Sequence, residues 1–236
     1  MKTTSITFLV LTAVTIFAIP YNLAAQLRKP LPDIIEAVNS EYIQLKKQVG
    51  TGKKIPLPFE KQVLFALSYF PELAQTPIRV KLRKSKGGII STRPTLGSIF
   101  RRSSKRSYIV IINDSTSGRL FPIFSNGSVN GQVGILGHEF CHILYFRKKT
   151  GLGLMGLGIA HISKRYMDNF ENKTDSVAIE RGLGYQLIDW NVYLQKAFRL
   201  IFPGVVMPFE KSGTRERYMS IPHIKELMSR IALYQN

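Results

Sequence analysis

Acidic side chains are scarce in this chain: 15 Asp and Glu stand against 33 Lys and Arg, a net charge of +18 over 236 residues. That imbalance suits a basic solubilising surface or an anionic partner, whether nucleic acid, a membrane surface or an acidic polymer. No nucleic-acid-binding motif accompanies the charge. Cysteine is almost missing. The single Cys141 excludes any intramolecular disulfide, so stability has to come from a packed core. A small buried apolar role suits that residue. Histidine is rare too, with four in all. There is no internal repeat and no low-complexity tract. With 44% hydrophobic residues, the composition is that of a folded domain rather than a disordered chain.

The one long apolar run lies at the start. Lys2 is followed by an uncharged, largely apolar stretch over residues 6–19, then Pro20 and the small residues Ala24 and Ala25 ahead of Arg28 and Lys29. This order reads as a signal peptide over residues 1–25, with a retained membrane anchor as the alternative. Residues 26–236 then form one domain, and the protein is exported, whether periplasmic, secreted or membrane-anchored.

Periodicity in the mature part predicts an α+β fold: helices, a small antiparallel sheet, then helices again. Ile34, Ile35, Val38, Tyr42 and Leu45 fall at helical spacing, and a second helix runs from Pro58 to Pro71. Ile78, Val80 and Leu82 alternate with Arg79, Lys81 and Arg83, the pattern of a strand with one basic face. Gly87 and Gly88 turn the chain into a second strand over residues 89–95, and residues 97–106 are a basic loop. Residues 108–112, Tyr-Ile-Val-Ile-Ile, are the clearest strand. Helix returns over residues 129–149, and the glycine-rich residues 151–158 read as a loop or loose helix start. A long helical region reaches about Ala197, interrupted near Gly182 and Gly184. Ser220 and Pro222 open a last helix.

Inside the helix of residues 129–149 stands His138-Glu139-Phe140-Cys141-His142, an H-E-x-x-H pattern. Residues four apart lie one turn along the same helix face, so His138 and His142 can grip one ion between them. Glu139 projects from a neighbouring angle, where it reaches water at the metal instead of the metal itself. Imidazole and carboxylate ligands around one open position suit Zn2+, one per chain. The offsets of the extended metzincin pattern are occupied by Tyr145 and Lys148, and the inverted H-x-x-E-H motif is missing. A third ligand is offered by Glu171-Asn172-Lys173-Thr174-Asp175, 171 − 142 = 29 positions after His142. Glu171 serves as ligand and Asp175, one turn on, orients a ligand imidazole. The opposite assignment, Asp175 as ligand, stays open, and two solvated helix charges would show the same spacing.

The strand at 108–112, the helix bearing HEFCH and the later helix bearing ENKTD together resemble the gluzincins, the thermolysin-like clan of zinc metallopeptidases. The resemblance spans about residues 108–190. It implies a zinc-dependent hydrolase acting on a peptide or protein substrate, with the strand before the zinc helix as an edge beside the cleft. Residues 108–112 fill that role, with residues 78–83 as the alternative edge. Glu139 is then the general base, and one further donor steadies the oxyanion. Tyr218 comes first for that task because it precedes the cap of the last helix; Tyr185, His161, His223 and Arg217 are also chemically able. The competing reading is a non-catalytic, zinc-stabilised binding or scaffold protein of the envelope. For the positive charge, export argues against nucleic acid and favours an anionic membrane or cell-wall polymer, with the apolar loop over residues 201–209 as one route to lipid.

Overall fold

The computed structural model describes residues 28–83, 88–114, 122–160, 163–203 and 218–235. The expected export segment lies outside them, as do His161, Arg217 and most of the apolar loop after Ile201. Among the described residues, no helix is long and apolar enough to cross a membrane.

Two short helices come first, α1 (Ile35–Ser40) and α2 (Tyr42–Val49), which bury Val38, Leu45 and Val49. A two-residue strand β1 (Lys53–Lys54) and helix α3 (Glu60–Leu67) follow. All five residues from Val63 to Leu67 are buried, so the second half of α3 is covered on every side. Next come β2 (Ile78–Arg83), β3 (Ile90–Pro94) and β4 (Tyr108–Asn113). The remainder is helical: α4 (Val129–Arg147), α5 (Gly151–Ala160), α6 (Lys164–Glu180), α7 (Gly184–Ile201) and α8 (Ile221–Arg230). The α+β class is as expected.

The sheet itself requires a correction, because it is mixed rather than antiparallel. Its order is β1-β2-β4-β3. β1 and β4 both run parallel to β2, and only β3 runs antiparallel, against β4. A second correction follows from the order. Neither β4 nor β2 is an edge; the edge on the side of the HEFCH helix is β3, which packs against α4. β4 earns its interior place by having apolar side chains on both faces: Tyr108, Val110 and Ile112 are buried in the core, while Ile109 and Ile111 are half-buried on the other side. β3 carries Ser91, Thr92, Arg93 and Pro94, and proline is tolerated at an edge because no ladder donor is lost there.

α4 is the central element. Of its 19 residues 14 are buried, and it packs on α3, α6, α7 and β3. Ser128 caps its start, accepting from the Gly131 N–H at 2.9 Å. At its other end the buried Arg106 side chain donates to the carbonyls of Phe146 and Lys149 at 2.9 and 3.0 Å, tying the helix terminus to the residues that follow it. The approach of α7 is set by Gly134, where a Cβ would lie 2.4 Å from the Gln186 carbonyl carbon and oxygen. Backbone cannot yield as a side-chain tip does, so Gly134→Ala is expected to lower stability by ~1–3 kcal/mol or more. The urea midpoint reads this directly; a loss below ~0.5 kcal/mol, the range of an ordinary surface change, would mean that the two helices do not approach so closely. Between α6 and α7 the turn is made by Gly182 at φ +99°, a conformation open to glycine.

Candidate metal and catalytic site

The H-E-x-x-H residues sit in the middle of α4, where the helix is regular and wholly buried. His138 and His142, one turn apart, present rings at 4.7 Å between centroids and 86° between planes. α6 crosses α4 here and delivers both carboxylates of the later motif to the imidazoles. Glu171 Oε2 lies 3.0 Å from His138 Nε2 and 3.4 Å from His142 Nε2. Asp175 Oδ1 lies 2.7 Å from the other nitrogen of His138, Nδ1. Phe170 and Phe146 stack on the His142 ring at 5.0 and 6.1 Å and fix its plane.

Donor chemistry and spacing fit a zinc ion. Zinc–nitrogen and zinc–oxygen bonds of about 2.0–2.1 Å in a tetrahedron put neighbouring ligand atoms ~3.3 Å apart. The two separations from Glu171 Oε2 bracket that distance. One ligand-capable atom each from His138, Glu139 and His142 also fall within 4.8 Å of one another. Two carboxylates thus compete for the same space. Glu171 is the better ligand on geometry, because a single oxygen faces both Nε2 atoms. Glu139 stands apart, and its Oε2 is buried with no hydrogen-bond partner. A buried carboxylate oxygen without a donor is costly unless a cation or a proton-bearing ligand meets it.

The electrostatics agree with a cation-seeking cluster. Burial would depress the His138 pKa, but Asp175 and then Glu171 outweigh it and raise it well above the ordinary imidazole value. Burial pushes Glu171 up, yet hydrogen bonds with His138 and His142 outweigh that and hold it below the usual carboxylate range. With Asp175 accepting the Nδ1–H, it is the Nε2 proton of His138, the one facing Glu171, that a bound cation would displace to reach the lone pair.

Asp175 does a second job. Its Oδ2 accepts the Met219 N–H at 2.8 Å, and the Met219 carbonyl accepts from Asn191 Nδ2 at 3.3 Å. Met219 is thereby pinned between α6 and α7, and Tyr218 beside it comes to lie with its ring 5.8 Å from that of His138. Of the other sequence candidates, Tyr185 packs against Tyr234 at 5.7 Å and does not line the cleft. His223 lies on α8 and does not line it either. Cys141 is buried, as its expected structural role requires.

A cleft of about 140 Å³ opens onto His138, Glu139, Asp175 and Tyr218. Its walls are Ile89 and Ile90 at the start of β3, Ile135 of α4, and Leu187, Trp190 and Leu194 of α7. These wall residues were not singled out from sequence. Ile135 was within reach, since it precedes His138 by three positions and shares its helix face. The α7 residues were not, because no local pattern ties them to the motif.

No protein-family model, no curated protein and no solved structure matches this chain.

Proposed function

We propose that the chain is an exported zinc-dependent peptidase of gluzincin type. His138, His142 and Glu171 hold one zinc ion, Glu139 is the general base, and Asp175 orients His138. The observation that carries this reading is the convergence of two Nε2 atoms on one Glu171 oxygen, with Glu139, whose Oε2 is buried without a partner, beside them. When bound, zinc supplies Lewis acidity, lowering the pKa of water and polarising a carbonyl.

The chain's own residues then divide the work. Asp175 holds the His138 ring in one tautomer and orientation. Glu139 accepts the proton of the attacking water and returns it to the leaving amine. Tyr218, across the cleft, donates to the carbonyl oxygen as negative charge grows on it. Ile90, Ile135 and Leu187 make an apolar wall that holds a peptide side chain and limits bulk water. An extended substrate lies beside β3, the strand bordering the cleft.

Elemental analysis tests the metal half of the proposal. About one zinc per chain is expected in the wild type and none in the His138→Ala/His142→Ala double variant. Full zinc retention in that variant would overturn the site. Chelator-sensitive cleavage of a broad peptide mixture tests the catalytic half. A zinc-loaded protein that cleaves nothing would favour the scaffold reading.

A further inference from the structure

Positive charge is not spread evenly along this chain. Residues 73–113 contain ten Lys and Arg and no Asp or Glu, and residues 140–167 contain five more with no acid. These two acid-free segments meet in the fold. The buried Arg106 guanidinium joins them, donating to the Arg101 carbonyl on one side and to the Phe146 and Lys149 carbonyls on the other. Gly151, the first residue of α5, lies against Phe100 so closely that a Cβ there would sit 2.9 Å from the phenyl ring.

Where the segments meet, large apolar side chains face solvent. Leu96 is 74% exposed, Phe100 75%, Leu152 76% and Met155 54%. Leu152 and Met155, three apart, share the outer face of α5, while Leu154 and Leu157 bury its inner face. Among the described residues, no acid neutralises the exposed Arg101, Arg102 and Lys105 beside them. Adjoining the patch is a cavity of about 420 Å³ that contains Lys54, Arg79 and Arg101, the hydroxyls of Thr95, Ser98 and Ser107, and no carboxylate. Apolar side chains protruding through a rim of unpaired cations match an anionic bilayer, which offers acyl chains below phosphate headgroups. A nucleic acid would satisfy the cations but leave four aliphatic and aromatic side chains in water.

We infer that this face docks the protein on an anionic lipid bilayer: Phe100, Leu96, Leu152 and Met155 enter the headgroup–acyl boundary, and the cavity of Lys54, Arg79 and Arg101 takes a lipid phosphate. The site is independent of the metal cluster. β3 connects the two, because its first residue lines the cleft and its last precedes Thr95 at the cavity. At about 3.3 Å per residue the cleft stands roughly 15 Å from the bilayer.

The test uses the full chain carrying Phe100→Trp. Trp190 is the natural tryptophan and is buried in the core, so the added indole reports this surface. Vesicles of phosphatidylcholine, with or without phosphatidylglycerol, carry bromine on their acyl chains to quench an inserted indole. Strong quenching is expected with phosphatidylglycerol and little with phosphatidylcholine alone. Adding Arg79→Glu/Arg101→Glu raises the lipid concentration for half-quenching at least tenfold. Lys47→Glu/Lys225→Glu, an equal charge change on exposed helix positions elsewhere, shifts it less than twofold. Zinc content stays at the wild-type level throughout. An unquenched indole on anionic vesicles, equal quenching on neutral ones, or an equal loss in the control variant would each overturn the proposal. Binding of an RNA duplex that depends on Arg79 and Arg101, with no quenching by lipid, would overturn it in favour of nucleic acid.

Discussion

Glu139→Gln is expected to leave zinc content and thermal stability close to wild type while peptide cleavage falls by at least ~10²-fold, the loss typical of a missing general base. The residue is buried, and its Oε2 meets no donor. Replacing that oxygen by an amide keeps the shape and breaks no hydrogen bond at that atom. What disappears is the capacity to take a proton. Glu139 follows a ligand by one position, so its side chain leaves the helix about 100° away from that of His138. This places it beside the proposed ion without making it the best oxygen for coordination, a place Glu171 holds by facing both Nε2 atoms. Steady-state kinetics on a cleaved peptide, with zinc measured on the same preparation, gives the answer. Cleavage that survives the substitution would rule out this mechanism whatever the metal content. Zinc loss in the variant would mean that Glu139 is itself a ligand. Wild type and variant equally inactive, with zinc bound, would point to a structural ion.

Much of the fold was legible because it is local. The helical spacing that includes Val38 and Leu45 and the alternation of Ile78 and Val80 in β2 each report which face is buried, and capping residues such as Ser220 ahead of Pro222 mark where α8 starts. Strand neighbours are a different matter. The glycines at 87 and 88 suggest a hairpin from β2 to β3, yet β4 lies between them. Periodicity fixes the face of a strand, not its partner. The signal for the true order was nevertheless present: an unbroken apolar run marks a central strand, and Ser-Thr-Arg-Pro marks an edge. α5 shows the opposite failure. Four glycines in ten residues disfavour a helix, and burial of Leu154 and Leu157 decides for one.

At the site, sequence spacing was enough for His138 and His142 because one helix turn sets their geometry. Glu171 and Asp175 depended on two helices crossing at one level. Their own spacing of four guaranteed only that both would face α4 if either did. Tyr218 rested on a weaker argument, its position before the last helix. The structure supplies a physical link instead, because the Asp175–Met219 hydrogen bond brings that segment to the cleft. The expected edge role of β4 moved to β3, so the cleft wall now starts at Ile89 and Ile90.

Glu171→Gln and Asp175→Asn separate ligand from orienting residue, and the first is expected to weaken zinc binding more. Glu171 Oε2 faces both Nε2 atoms, so an amide there replaces an anionic ligand atom by a weak neutral one. Loss of affinity on the order of 10³-fold is expected, beyond the 10–100-fold typical of an outer partner. Asp175 is that outer partner. It accepts from His138 Nδ1 through Oδ1 and from the Met219 N–H through Oδ2. An asparagine has one acceptor oxygen to serve two N–H donors, and its NH₂ group must face the other. Asp175→Asn therefore weakens zinc roughly 10–100-fold and also loosens the segment carrying Tyr218. Its kcat should fall further than zinc occupancy explains, even when excess zinc restores loading. Competition titration against a chromophoric chelator measures both affinities. If Asp175→Asn costs more affinity than Glu171→Gln, the ligand is Asp175, with His138 coordinating through Nδ1. Equal and small effects from both would remove α6 from the metal site and leave the two histidines without a third protein ligand.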